Sequence, residues 1–208
     1  MRTISIVATA ILVLCSVALA DDLNPPSWRG QPDTTFQLWE FSTNTQPAVP
    51  NIDGNPYGDP LALILGAFPK TRWLTTDRGQ QGVWVTEEWI QLEIPNTENT
   101  EPNSFKEIWL QMTFDVGTDA FPVVFIVPDA DPFTLEPVFI APDPVGTYTY
   151  GIWDIIIEPN PRFESIYILP RECTLYMDEI VVDTRCVPEP TTMVMMVLGG
   201  IALLIRRK

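Results

Sequence analysis

Histidine does not occur anywhere in the 208 residues. Its absence removes Ser-His-Asp and Cys-His nucleophilic machinery, and with them histidine-ligated zinc. Basic residues are scarce too: 12 Lys+Arg stand against 27 Asp+Glu, a net charge of −15. Between Asp21 and Pro190 the imbalance deepens to 8 basic against 27 acidic residues, or −19. Nucleic-acid affinity rests on Lys and Arg displacing counterions, so no nucleic-acid partner is expected. Between the two terminal segments no stretch sustains a helical period over ten residues, which argues against a helical bundle.

Both ends read as addresses rather than fold. Met1 to Ala20 has a basic start at Arg2 and an apolar run from Ile4 to Leu14. It closes on the small-x-small end Ala18-Leu19-Ala20, after which Asp21 and Asp22 follow at once. That layout is a cleaved secretory signal peptide, with the cut between Ala20 and Asp21. Cys15 does not suggest lipidation, because Leu14 precedes it where a small residue is required.

At the other end, Thr191 to Ile205 is uncharged and is closed by Arg206, Arg207 and Lys208. Fifteen helical residues span about 22 Å, short of a ~30 Å hydrocarbon core unless the flanks contribute. The basic cluster acts as a stop-transfer signal and favours the cytoplasmic side, so the body is expected outside the inner membrane. The organisation expected is therefore a signal peptide (1–20), one body domain (21–186) and a C-terminal signal (187–208).

The tail comprises Val187-Pro188-Glu189-Pro190, an apolar stretch with the pair Gly199-Gly200, and the basic cluster. It resembles the PEP-CTERM sorting domain. The resemblance implies an exosortase, a membrane-embedded transpeptidase-like enzyme, as the processing partner. It also implies a bacterium that has an outer membrane and makes exopolysaccharide. The opening of the body, PPSWRGQPDTTFQLWEF, resembles a recurrent N-terminal pattern of uncharacterised PEP-CTERM proteins.

The body itself predicts β-structure. In Thr34 to Ser42, residues Thr35, Gln37, Trp39 and Phe41 alternate with Phe36, Leu38 and Glu40, a β-like pattern of aromatic and β-branched residues. Further strands are expected at Leu61–Ile64, Thr71–Thr75, Gly82–Val85, Trp89–Ile94, Glu107–Phe114, Val123–Val127, Thr134–Ile140, Tyr148–Ile157, Ser165–Leu169 and Leu175–Val182. In Glu107–Phe114, residues Ile108, Leu110, Met112 and Phe114 share one face, with Trp109, Gln111 and Thr113 on the other. Most strands are bounded by Pro, Gly or Asn, so the fold class expected is an all-β antiparallel sandwich or jelly roll. The segment Leu175 to Asp183, with Tyr176, Asp178 and Ile180, resembles the closing strand of galactose-binding-like jelly rolls, a fold that often binds carbohydrate or mediates adhesion.

Seven tryptophans lie between Trp28 and Trp153. Trp84, Trp89, Trp109 and Trp153, with Tyr148 and Tyr150, are candidates for a sugar-stacking platform on one sheet face; the competing reading is that they fill the core. Asp53, in Asn51-Ile52-Asp53-Gly54-Asn55, and Asp129 with Asp131 are candidate oxygen ligands for a structural Ca²⁺. No other cofactor is expected. The acidic residues Glu87, Glu88 and Glu93 suggest a carboxylate hydrolase only as a minor alternative, since no spacing in sequence locates a catalytic pair.

The two cysteines after the signal are Cys173 and Cys186. A straight strand over Leu175–Val182 covers roughly 25 Å. Its short flanks do not bring the Cα atoms within the ~4.4–6.8 Å of a disulfide, so no internal bridge is expected. The function expected is an exported, non-enzymatic envelope or matrix protein that binds polysaccharide, or alternatively a purely structural or adhesive surface component.

Overall fold

The computed structural model describes residues 22–96, 104–117, 121–127, 133–135, 137–142, 147–161, 164–171 and 174–188. Among the described residues there are strands and no helix, as the period-2 alternation predicts. The signal peptide, most of the sorting tail, Cys173, Asp129 and Asp131 lie outside them.

In chain order the strands are β1 (Thr34–Trp39), β2 (Ile52–Asp53), β3 (Leu61–Ile64), β4 (Arg72–Asp77), β5 (Gln80–Thr86), β6 (Ile90–Ile94) and β7 (Ser104–Asp115). Then come β8 (Val123–Val127), β9 (Phe133–Leu135), β10 (Phe139–Pro142), β11 (Thr149–Ile157), β12 (Glu164–Leu169) and β13 (Leu175–Pro188). Every strand pairing among the described residues is antiparallel. The larger sheet runs β10-β11-β7-β13-β1-β2, with β5 added to β13 and β4 to β5; the smaller runs β3-β6-β12-β8-β9.

β13 organises the larger sheet. One of its edges pairs with β7 from Tyr176↔Asp115 to Pro188↔Ser104. Its other edge serves two strands in succession, β5 at Leu175–Met177 and β1 at Ile180–Arg185. The register slips at Asp178, where β13 carries an extra residue against β7.

Residues from both sheets share one apolar core, the layering of a β-sandwich. Ile108, Leu110, Met112 and Phe114 of β7, Trp153 and Ile155 of β11, and Ile180 and Val182 of β13 come from the larger sheet. They meet Ala62, Ile90, Leu92, Val124, Ile126, Ile166 and Ile168 of the smaller one. Each fully buried aliphatic side chain contributes about 1.5–3 kcal/mol relative to exposure, so this layer drives the association of the sheets.

The face expected for β7 is the one observed. Two other expectations are corrected. Thr134–Ile140 is not one strand but two in different sheets, β9 against β8 and β10 against β11, with Pro137 between them. The last strand does not stop at Val182 but continues to Pro188, because β7 offers an unbroken edge to pair with.

Local backbone chemistry closes the hairpins. Arg78 and Gly79, between β4 and β5, both have positive φ, as a two-residue hairpin turn matched to strand twist requires. Gly82 in β5 also has positive φ, and a Cβ there would stand 2.5 Å from the Phe41 carbonyl oxygen, so only glycine fits.

The segment before β1 straps the outer face of the larger sheet. Arg29 forks onto Asp183 of β13, with Nη2 at 2.6 Å from Oδ2, and also pairs with Asp22. Trp109 donates its indole N–H to the Asn24 carbonyl at 2.9 Å, and Trp28 donates to Glu107 at 2.9 Å. Gln111 donates to Asp22 and accepts the Asn24 amide. Arg29 stacks over Phe36, and Arg185 stacks over Trp28. The PPSWRG stretch thus forms a second, polar layer over the sheet.

Candidate functional site

Strand alternation divides the candidate platform residues among different surfaces. Trp84 and Trp153 point into the shared core, 6% and 0% exposed, and present no face to a ligand. The physical reason is phase: Trp153 lies in register with Leu110 on the inner face of the larger sheet. Tyr148 is buried with Val83 and Val85, and its hydroxyl donates to Asp77 at 2.9 Å. Burial raises the Tyr148 phenol, reinforced by the neighbouring Asp77. Tyr150 is buried on the outer side of the larger sheet, where its hydroxyl donates to Gln111, and burial pushes it up to about 12. Trp109 lies under the strap, its N–H already engaged. The expected single platform of Trp84, Trp89, Trp109 and Trp153 is therefore not formed.

Trp89 is the exception. It precedes β6 and is 42% exposed, because Ile90 takes the inward position next to it. It meets Tyr167 of β12 edge to face, with ring centroids 5.9 Å apart. Tyr167 in turn stacks on Phe125 of β8 at 5.0 Å, with the planes 8° apart. Tyr167 is directly opposite both Gln91 and Phe125 in the ladders, so the three rings line the outer face of the smaller sheet. Gln91 and the exposed Glu93 flank the row, Gln91 donating to Glu93 at 3.1 Å.

A half-exposed aromatic row bordered by an amide and a carboxylate can hold an apolar ring face while hydrogen-bonding polar groups at its rim. Phe125 and Tyr167 escaped the sequence reading. The signal was available: in Val123–Val127 and Ser165–Leu169 these aromatics fall out of phase with Val124, Ile126, Ile166 and Ile168, which are the buried set.

The candidate Ca²⁺ loop uses its oxygens internally. Asp53 accepts the Asn55 amide at 2.8 Å, Asn55 accepts the Tyr57 amide at 2.9 Å, and the Asn55 side chain donates to the Pro95 carbonyl. These are successive Asx turns. Among the described residues no group of three acidic or cysteine side chains converges on one point. Glu87 pairs with Lys70 at 3.0 Å on the surface.

Cys186 carries a free thiol on the continuous strand β13. Val187 and Pro188, the first residues of the candidate sorting motif, are the last paired residues of that strand, opposite Phe105 and Ser104. No helix among the described residues is long and apolar enough to cross a membrane.

Comparison with family models matches residues 187–208 to the PEP-CTERM protein-sorting motif, so the chain carries that motif at its C-terminal end. Comparison with curated proteins finds no match. Among solved structures the chain is similar to a carbohydrate-binding module, TmCBM27, described for specific mannan recognition. The two share 11% identity over 57% of this chain and 82% of that one, with a TM-score of 0.26.

Proposed function

We propose that the chain is an exported, non-enzymatic envelope or matrix protein with a jelly-roll body that binds polysaccharide through the outer face of its smaller sheet. The observation that carries this reading is the contiguous row of three rings, Trp89, Tyr167 and Phe125, on the outer face of the smaller sheet. The net charge of −15 disfavours polyanionic glycans, so the ligand class is a neutral polysaccharide whose sugar rings stack on the strip. The PEP-CTERM motif supports export, passage through the inner membrane and hand-over to an exosortase, after which the body stands at the cell envelope or outside it. No turnover of a substrate is assigned: Glu164 and Asp183, the carboxyls most strongly withdrawn from water, each face a cation inside the fold.

A glycan array probed with the exported chain, and with its Trp89→Ala and Tyr167→Ala variants, tests the reading. Binding of neutral glycans that each substitution weakens about tenfold is the expected outcome. Binding that survives both places the ligand on another surface, and no binding at all leaves the purely structural or adhesive role.

A further inference from the structure

At the end of the sandwich nearest the sorting motif, the shared core closes on polar groups. Lys106 of β7 and Glu164 of β12 come from different sheets, and each is only 1% exposed. Lys106 Nζ lies 2.8 Å from Glu164 Oε1, which has no other partner among the described residues. The second oxygen of the same carboxylate, Oε2, accepts the side-chain amide of Asn96 at 3.2 Å, just past the end of β6. The carbonyl oxygen of that amide accepts the Cys186 thiol at 3.5 Å. Asn160 borders the group, donating to the Cys186 sulfur. A fully buried amine and carboxylate therefore meet a half-buried amide that the same carboxylate touches, with a half-buried thiol donor on the amide oxygen.

We propose that Lys106 and Asn96 form an intramolecular isopeptide bond, with Glu164 relaying the proton and Cys186 polarising the amide. Lys106 first gives a proton to Glu164 Oε1, and the freed amine attacks the Asn96 side-chain carbonyl carbon. The Nζ–Cγ bond forms, and negative charge develops on Oδ1, facing the Cys186 S–H. Glu164 then transfers its proton to Nδ2, the Cγ–Nδ2 bond breaks, and ammonia leaves. The remaining extra proton on Nζ passes to the carboxylate. The ammonium, carboxylate and carboxamide are thus converted to a secondary amide, ammonia and a protonated Glu164. No oxidant or cofactor takes part.

The surroundings favour each step. Burial raises the Glu164 carboxyl, outweighing the Lys106 charge and the Asn96 hydrogen bond, which makes the neutral acid accessible. Burial likewise raises the Cys186 thiol, keeping it a donor rather than a thiolate. Holding amine and amide on one carboxylate also lowers the entropic cost of their reaction. The product ties the end of β6 in one sheet to β7 in the other. It does so beside β13, the strand that leads directly into the sorting motif, where the body would bear load from its attachment.

Mass spectrometry on the whole chain purified in detergent tests the proposal. The expected product is lighter by one ammonia, trypsin no longer cuts after Lys106, and cleavage after Glu98 leaves the two halves joined. Glu164→Gln is expected to keep the ammonia and to restore cutting after Lys106 in a chain whose circular dichroism remains β-rich. A native chain of full mass overturns the proposal, whether or not the variant folds. So does a lighter chain whose halves separate, which marks a succinimide, and so does a link to Asn160 or to Glu164 itself. A Glu164→Gln chain that still crosslinks overturns the relay.

Discussion

Arg29 and Asp183 are joined by a two-pronged ion pair across 154 residues of sequence, and the carboxylate of Asp183 is wholly buried beneath it. The pair fastens the N-terminal strap to the central strand of the larger sheet. Removing the guanidinium leaves a charge in the fold with no compensating cation.

Arg29→Ala is accordingly expected to destabilise the body by about 3 kcal/mol, the usual penalty for orphaning a buried charge. Urea unfolding followed by tryptophan fluorescence measures it. A loss under about 1 kcal/mol would mean that the strap lies on the sheet without holding it.

Stability should rise on mild acidification. Burial pushes Asp183 up to about 6 despite the Arg29 pair, and it raises Glu164 as well. Between the ordinary carboxylate range and about 6, the folded chain holds a proton that the unfolded chain releases. Lowering the pH through that window therefore favours the folded state, and raising it removes the benefit. Asp183 alone corresponds to on the order of 2–3 kcal/mol. Melting temperature from pH 7 to pH 4.5 reads the trend, and Asp183→Asn should flatten it. A chain that melts earlier at pH 5 than at pH 7 contradicts the assignment.

Trp89→Ala should weaken glycan binding about tenfold while lowering stability by no more than about 1 kcal/mol, because the ring is largely exposed and packs mainly on Tyr167. Trp153→Ala should do the reverse, destabilising by about 3–5 kcal/mol through the cavity it leaves. Calorimetric titration beside thermal melts separates the two. Equal effects on binding and stability for both variants would dissolve the distinction between platform and core.

Gly82→Ala should destabilise by more than about 2 kcal/mol, since the new methyl meets the Phe41 carbonyl and the positive φ disfavours any side chain. Gly79→Ala, with positive φ but open space around it, should lose less. Denaturation midpoints compare the pair, and a reversed order would place the constraint in the turn rather than in the close approach.

Strands with clean alternation between turn residues were legible residue by residue: Leu61–Ile64 and Val123–Val127 are observed with the expected ends. Legibility failed where pairing, not pattern, decides. β2 has two residues and exists only because β1 offers it an edge. The final six residues of β13 are mixed in polarity and are ordered by the ladder to β7. The aromatic strip was half legible: Trp89 was named, whereas Phe125 and Tyr167 become neighbours only because β12 pairs with β8.

The sequence alone determined the β class, the acidic surface, the exclusion of histidine chemistry and the address at the C-terminus, because composition, period and short motifs are local properties. Only the tertiary structure decided which tryptophans are core, what the N-terminal strap covers, and that Lys106, Glu164, Asn96 and Cys186 converge. Those outcomes depend on the order and register of strands far apart in the chain. Nothing in a linear stretch records which edge a strand will find.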